Sequence, residues 1–434
     1  MEAVARERLE ASIEARGEQD ADTIWLGYWL GQSLDNQKRY DEAVEVYRTW
    51  LPISIEALGD DHDMTSGLSK WMVANLLNQK KYEQMEAVAR ERLEASRAAR
   101  GEQEAGTIWL GYMLGRSLDS QKRYDEAAEV YQTWLPISSE ALGDDNKTTS
   151  DLSMWLVGCL SRAKQYEQME AVARERLEAS IAAQGETAYP SIRLGYWLGQ
   201  SLDSQKRYDE AVEVYSQWLA TSSDALGDDH DTTNDLSRWL VACLSRAKQY
   251  EQMEAVARER LEASIEAQGE TAYPSIRLGY WLGRSLFQLE RYDDAEAVFR
   301  TWLPRSIGSL GSNHRTTDDL AMWLLGCLAS TGKSSEMETL ARERLADRIE
   351  VHGEDDPNTI WYGGYLGKAL ALQENFDEAE AVDLHWLERC EATPNTDAQS
   401  QRITKQLADL YDAWGKPELA QQYRDRLPAE QPTP

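Results

Sequence analysis

Glycine recurs every 42 residues along this chain, at Gly17, Gly59, Gly101, Gly143, Gly185, Gly227, Gly269, Gly311 and Gly353. Six residues after each glycine stands a hydroxyl residue: Thr23, Thr65, Thr107, Thr149, Ser191, Thr233, Ser275, Thr317 and Thr359. A repeat of this length buries its apolar face only against the neighbouring copies, so the chain is read as one stacked array and not as several globular domains.

Within a unit the pattern is helical. Residues 23–34 carry apolar side chains at helical spacing, Gln37-Lys-Arg-Tyr40 makes a turn, and a second helix runs from Asp41 to Leu58. Gly59 suits a left-handed residue just past a helix end, and Thr65 is expected to cap the next helix. An aromatic closes each turn, from Tyr40 through Tyr292 and then Phe376, with Ser334 the exception. Early in the second helix Ala43, Ala127, Ala211, Ala295 and Ala379 alternate with Met85, Met169, Met253 and Met337. The full period is therefore a pair of hairpins, 84 residues long, with copies starting at 1, 85, 169, 253 and 337. Pro52, Pro136 and Pro304 fall inside second helices, where each removes a hydrogen bond and is expected to kink the helix.

Leu30-Gly31, Leu34, Tyr40, Ala43 and Tyr47 at these offsets resemble the tetratricopeptide repeat. The 42-residue unit, with Leu58-Gly59-Asp-Asp-His62 ahead of Thr65, is similar to the kinesin light chain variety. The resemblance implies an all-α, right-handed solenoid (a superhelix) of about ten helix-turn-helix hairpins after an orphan N-terminal helix. Residues 1–428 then form a single solenoid, 400–427 its final short hairpin and 429–434 a disordered tail. Residues 1–17 read as a second helix without its first. Its open face is expected either to continue a longer protein or to support self-association through the N-terminal helix.

The resemblance also implies that the first helices line a concave groove. Its expected peptide-contacting residues are Trp25, Tyr28, Lys70, Trp109, Tyr112, Arg116, Arg193, Tyr196, Arg238, Arg277, Tyr280 and Arg284. Kinesin light chains carry a peptide-contacting asparagine where this chain has Tyr28, Tyr112, Tyr196 and Tyr280, or Lys70 and Arg238, which departs from that pattern. Tyrosine and arginine are favoured interface anchors. They suit a protein or peptide ligand with aromatic or acidic side chains. The tryptophans inside the second helices (Trp50, Trp134, Trp218, Trp302 and Trp386) read as packing residues.

Charge narrows the partners. With 76 acidic and 46 basic residues the chain carries a net charge of −30, which repels nucleic acid and anionic membranes. No apolar run approaches the roughly 20 residues that cross a bilayer. Cys159, Cys243 and Cys327 are copies of one position and, with Cys390, read as buried thiols of a reducing, cytoplasmic compartment. Gly326-Cys-Leu-Ala-Ser-Thr-Gly332-Lys333-Ser334 mimics a phosphate loop but has one residue too many between its glycines and no preceding strand. His62, His230 and His314 repeat one loop position too far apart to converge on a metal. The reading is a non-enzymatic interaction scaffold without cofactor or metal. The alternative is the sensor arm of a larger signalling protein built on an NB-ARC-type switch or a kinase.

Overall fold

The computed structural model describes residues 2–428, and the expected tail at 429–434 lies outside them. Helix α1 (Glu2–Arg16) is followed by ten hairpins. The first helices of the first five are α2 (Ala21–Asp35), α4 (Asp63–Asn78), α6 (Ala105–Ser120), α8 (Lys147–Arg162) and α10 (Tyr189–Ser204). Their second helices are α3 (Tyr40–Leu58), α5 (Tyr82–Arg100), α7 (Tyr124–Leu142), α9 (Tyr166–Gln184) and α11 (Tyr208–Leu226). The next five hairpins have first helices α12 (Asp231–Arg246), α14 (Tyr273–Gln288), α16 (Arg315–Ser330), α18 (Pro357–Leu372) and α20 (Asp397–Ala413). They are completed by α13 (Tyr250–Gln268), α15 (Tyr292–Leu310), α17 (Ser334–His352), α19 (Phe376–Ala392) and α21 (Pro417–Arg424). The fold is an all-α solenoid of hairpins, and it divides into two compact units, Met1–Ala225 and Leu226–Pro434.

The loop glycines adopt positive φ, with Gly59 at φ 93° and ψ 166°. This is an extended mirror region that side chains avoid, rather than the left-handed helical one. The hydroxyl six residues on does not cap the next helix. It lies inside that helix, buried, and bonds a serine of the preceding one: Ser54–Thr65 at 2.7 Å, Ser138–Thr149 at 2.7 Å and Ser264–Ser275 at 2.8 Å. Ser191, Ser275 and Thr317 also close on the glycine carbonyl, Thr317 reaching Gly311 at 2.9 Å, whereas Thr359, with Arg348 in place of the serine, donates to Asp356 at 3.2 Å. The six-residue spacing is thus a loop staple. Capping falls instead to Asp20, His62, Glu104, Asn146, His230, His314 and Asp356. His62 Nδ1 accepts from the Met64 N–H at 3.1 Å, which is the task of a helix-start side chain. Helices α10 and α14 carry Pro190 and Pro274 as their second residues, where the missing N–H leaves one fewer donor to satisfy.

The 84-residue period is a packing alternation. In odd hairpins a glycine meets an aromatic ring: a Cβ on Gly27 would lie 2.5 Å from the Trp50 ring and one on Gly31 2.3 Å from Tyr47. The second-helix tryptophans are accordingly buried. In even hairpins the Trp position holds a buried arginine and the glycine position a serine. Arg92 donates from Nε to Ser69 Oγ at 3.1 Å, Arg176 to Ser153 at 3.1 Å and Arg260 to Ser237 at 3.2 Å. The eighth hairpin has Ala321 in place of the serine, and its Arg344 turns to the buried Asp318 at 3.1 Å, which also accepts from Arg348 at 2.6 Å.

Hairpin turns need a left-handed residue, and Lys38, Lys80, Lys122, Lys164, Lys206, Lys248, Glu290 and Glu374 supply it at φ between 58° and 63°. Gly332 fills the same position at 71°. The phosphate-loop mimic is therefore one more hairpin turn, with Lys333 bonded to Glu296 at 2.8 Å. The helices containing Pro52, Pro136 and Pro304 run uninterrupted through the proline. The four cysteines are buried and free, and burial pushes the Cys159 and Cys327 thiols up to about 12.

Within each unit successive first helices come into contact. The second helices α3, α5, α7 and α9 of the first unit, and α13, α15, α17 and α19 of the second, have no Cα of one within 8 Å of a Cα of the next. Each unit therefore fans open on its second-helix side.

Candidate functional site

Positions 25, 28, 29 and 32 of the first hairpin, and their copies every 42 residues, share one flank of the first helices because they follow the i, i+3, i+4, i+7 rule. The tyrosines expected there as a ligand-facing ladder are mostly interior. Tyr112 is 7% exposed, and Tyr196 and Tyr280 are each 6% exposed. Within a unit this position turns toward the next first helix, where a Cβ on Gly67 of α4 would meet the Tyr28 ring at 3.1 Å. Tyr28 makes the geometry explicit: its hydroxyl accepts from Gln32 at 2.7 Å and from Trp71 Nε1 of α4 at 3.0 Å. The ladder is a packing feature whose hydroxyls hold neighbours in place. Arg116 donates to Tyr112 at 2.9 Å and Arg284 to Tyr280 at 3.4 Å.

Arg238 is exposed and the other arginines are half-buried, each held over a ring. In the first unit the Arg116 guanidinium lies 4.1 Å from the Trp155 ring centroid, and Arg193 lies 5.1 Å from Tyr196 and 5.7 Å from Trp197. In the second, Arg238 lies 5.5 Å from Trp239, Arg277 lies 5.1 Å from Tyr280 and 5.6 Å from Trp281, and Arg284 lies between Trp281 at 5.1 Å and Trp323 at 5.5 Å. Cation–π contact at these distances fixes each side chain and leaves guanidinium N–H groups for a ligand. Of the other expected residues, Trp25 is 47% exposed and forms an edge-to-face pair with Trp29, centroids 5.4 Å apart. Lys70 and Trp109 are half-buried.

The sequence reading passed over the tryptophan column itself: Trp71, Trp155, Trp197, Trp239, Trp281 and Trp323 stand 42 or 84 residues apart. Its signal was present in the same periodicity.

One place on this flank is concave. In the second unit a cavity of about 470 Å³ opens between α12 and α14. Two of the expected residues, Arg238 and Arg277, line it together with Asp231, Asn234, Asp235, Gln268, Tyr273, Pro274, Leu278 and Trp281. Arg238 donates to Asp235 at 2.9 Å. Arg277 lies 3.7 Å from Asp319, whose carboxyl burial pushes above the ordinary carboxylate range while Arg277 opposes the shift. Each arginine thus spends little of its donor capacity on the protein. Tyr273, Pro274, Leu278 and Trp281 supply an apolar shelf beside the two cations.

The copy of this region one double hairpin upstream differs little. Residues 147–197 and 231–281 differ at five positions: Lys147/Asp231, Ser150/Asn234, Met154/Arg238, Gly158/Ala242 and Ala182/Glu266. The first three of these place their second-unit members on the cavity wall. In the upstream copy the cation sits at the helix start, where Lys147 bonds Asp151 at 2.7 Å.

Comparison with known proteins agrees with the hairpin architecture. A tetratricopeptide repeat model matches residues 3–57, 87–141, 171–225 and 255–309, together more than half of the chain. The chain belongs to the tetratricopeptide repeat family. No curated protein sequence matches it. Among solved structures it is similar to the apo form of RapI, with 12% identity and a TM-score of 0.50 over 80% of this chain and 97% of that one. It is also similar to a Podospora anserina kinesin light chain of nearly identical TPR-like repeats (12% identity, TM-score 0.41, 46% of this chain and 93% of that one). A third similar structure is BtubC from P. vanneervenii (18% identity, TM-score 0.44, 54% of this chain and 92% of that one). At these identities the likeness is one of fold. No helix among the described residues is long and apolar enough to cross a membrane.

Proposed function

We propose that this tetratricopeptide repeat chain is a non-enzymatic scaffold that binds an extended peptide or a partner helix along the flank of its first helices, anchored in the cavity between α12 and α14. The observation that carries this reading is the placement of sequence change. Three of the five differences between two otherwise matching stretches fall on the wall of one cavity. The shelf of Tyr273, Pro274, Leu278 and Trp281 is kept. A retained apolar seat with exchanged charges beside it is what discrimination between ligand segments requires. Arg238 and Arg277 favour a segment with an acidic side chain, and the shelf favours an aromatic or aliphatic neighbour.

The test is a peptide-display selection against the whole chain, with Asp231→Lys, Asn234→Ser and Arg238→Met combined as the control. That variant writes the upstream wall onto the cavity, a set of residues the chain already tolerates in its own repeat. A shared motif whose affinity falls tenfold or more in the variant is the expected result. A motif bound equally well by both proteins, or no motif at all, sinks the reading.

A further inference from the structure

The fanning of each unit leaves clefts between successive second helices, and two of these form open notches. In the second unit a notch of about 490 Å³ lies between α15 and α17, floored by Leu303, Leu324 and Leu328 and edged by Pro304, Leu340 and Glu343. In the first a notch of about 480 Å³ lies between α7 and α9, with Leu135, Pro136, Leu156, Val172 and Glu175 among its walls. Subtracting 168 from Leu303, Pro304, Leu324, Leu340 and Glu343 returns Leu135, Pro136, Leu156, Val172 and Glu175. The same site is therefore built twice, once in each unit between two second helices, and each copy sits where a second helix contains a proline.

The chemistry of the two notches agrees. The floor is aliphatic and is shared by a second helix (Leu303 of α15, Leu135 of α7) and the intervening first helix (Leu324 of α16, Leu156 of α8), reachable because the second-helix backbones stand apart. The rim is acidic. Glu343 in one notch, and Glu140 and Glu175 in the other, have no ion-pair partner among the described residues. The lining arginines are engaged: Arg300 pairs with Glu296 and Glu336, and the buried Arg176 with Asp144. A volume near 480 Å³ lies in the range of ligand-holding pockets, and an aliphatic floor inside unpaired carboxylates selects an apolar group carried between cations.

We propose that these paired notches are a second docking surface, for a partner segment that inserts a bulky aliphatic or aromatic side chain flanked by lysine or arginine. This surface is independent of the cavity between α12 and α14.

Two capped hexapeptides test it on the whole chain by calorimetric titration. One carries a central leucine and phenylalanine flanked by lysines, and the other carries the same core flanked by glutamates. The lysine peptide should bind at least tenfold tighter. Glu175→Lys combined with Glu343→Lys, both changes at the rim, should weaken it at least fivefold. Val172→Trp combined with Leu340→Trp, which fills both notches and leaves the charge untouched, should abolish it with the melting temperature retained. Arg238→Met should leave it unchanged. Binding that survives the filled notches reports only attraction to a chain of net charge −30 and overturns the proposal. Absence of binding by either peptide, or loss in Arg238→Met, overturns it equally. Self-association of the chain that disappears on filling would assign the notches to a second copy and overturn it as well.

Discussion

Arg176 donates from Nε to Ser153 Oγ at 3.1 Å inside a hairpin whose neighbours place Trp134 over Gly111 and Trp218 over Gly195 at the same two positions. Alternate hairpins thus solve one packing problem in two ways, by indole on glycine or by guanidinium on hydroxyl. The arginine is 6% exposed and its far end reaches Asp144. Such a side chain is costly to leave half-satisfied. Ser153→Ala is expected to cost about 1–3 kcal/mol, read as a fall in the midpoint of urea unfolding. Arg176→Met is expected to cost less than that cost and the loss of the Asp144 pair combined, because it removes the unmet donors along with the charge. A neutral Ser153→Ala would show that the bond is incidental.

Gly195 is fixed by sterics. A Cβ there would stand 2.2 Å from the Trp218 ring, and rings in a packed core do not yield by that much. Gly195→Ala should destabilise by about 1–3 kcal/mol through overpacking. Trp218→Leu should restore part of the loss in the double variant. Gly185→Ala meets no atom within 4 Å but sits at φ +94°, so its comparable cost is backbone strain and no second-site change of volume should recover it.

The hairpin turns carry strain that one natural substitution has already removed. Lys122 holds φ 63°, and Gly332 holds the same place at 71°. Left-handed backbone costs a side-chain-bearing residue about 1–2 kcal/mol, and glycine gives back part of this through its freer unfolded state. Lys122→Gly should therefore raise stability by up to about 1 kcal/mol, and Gly332→Lys should lower it by a similar amount. Paired thermal melts decide the matter; a Gly332→Lys protein that melts with the parent would show that the turn relaxes freely.

Asp383 occupies the place that Tyr47, Tyr131, Tyr215 and Phe299 hold in other odd hairpins, fully buried against Gly367, with both carboxyl oxygens lacking a hydrogen-bond partner. Burial raises its pKa to about 8, with the Arg402 guanidinium pulling the other way. The folded chain therefore binds this proton more tightly than the unfolded one. Its penalty is absent below the ordinary carboxylate range, near pH 4, and grows until the pH passes about 8. Asp383→Asn should raise the unfolding free energy little at pH 5 and clearly at pH 8.5, by an amount on the order of a few kcal/mol, read from urea unfolding at the two pH values. An equal gain at both pH values would show that the carboxyl is already ionised in the folded protein.

The 42-residue spacing alone determined that the chain is a stack of helical hairpins, because a helix-turn-helix of that length has no core of its own and must share one. It also determined the double-hairpin period, the buried second-helix tryptophans and the turn identity of the Gly326–Ser334 segment. What it left open depended on which side of a helix faces a neighbour. Trp25 and Tyr112 are both large and aromatic in the sequence, yet one stands in solvent and the other lies under the following hairpin. Thr65 looked like a cap because it opens the helical pattern, but His62 accepts the cap hydrogen bond and Thr65 turns inward to Ser54. The cavity at Arg238 and Arg277 and the notches at Pro136 and Pro304 arise from spacing between helices, which first-helix contact sets on one side and second-helix splay on the other. Sequence periodicity fixes the order of elements and their apolar faces, whereas concave surfaces come from the angles at which those faces pack, and only the tertiary structure holds those angles.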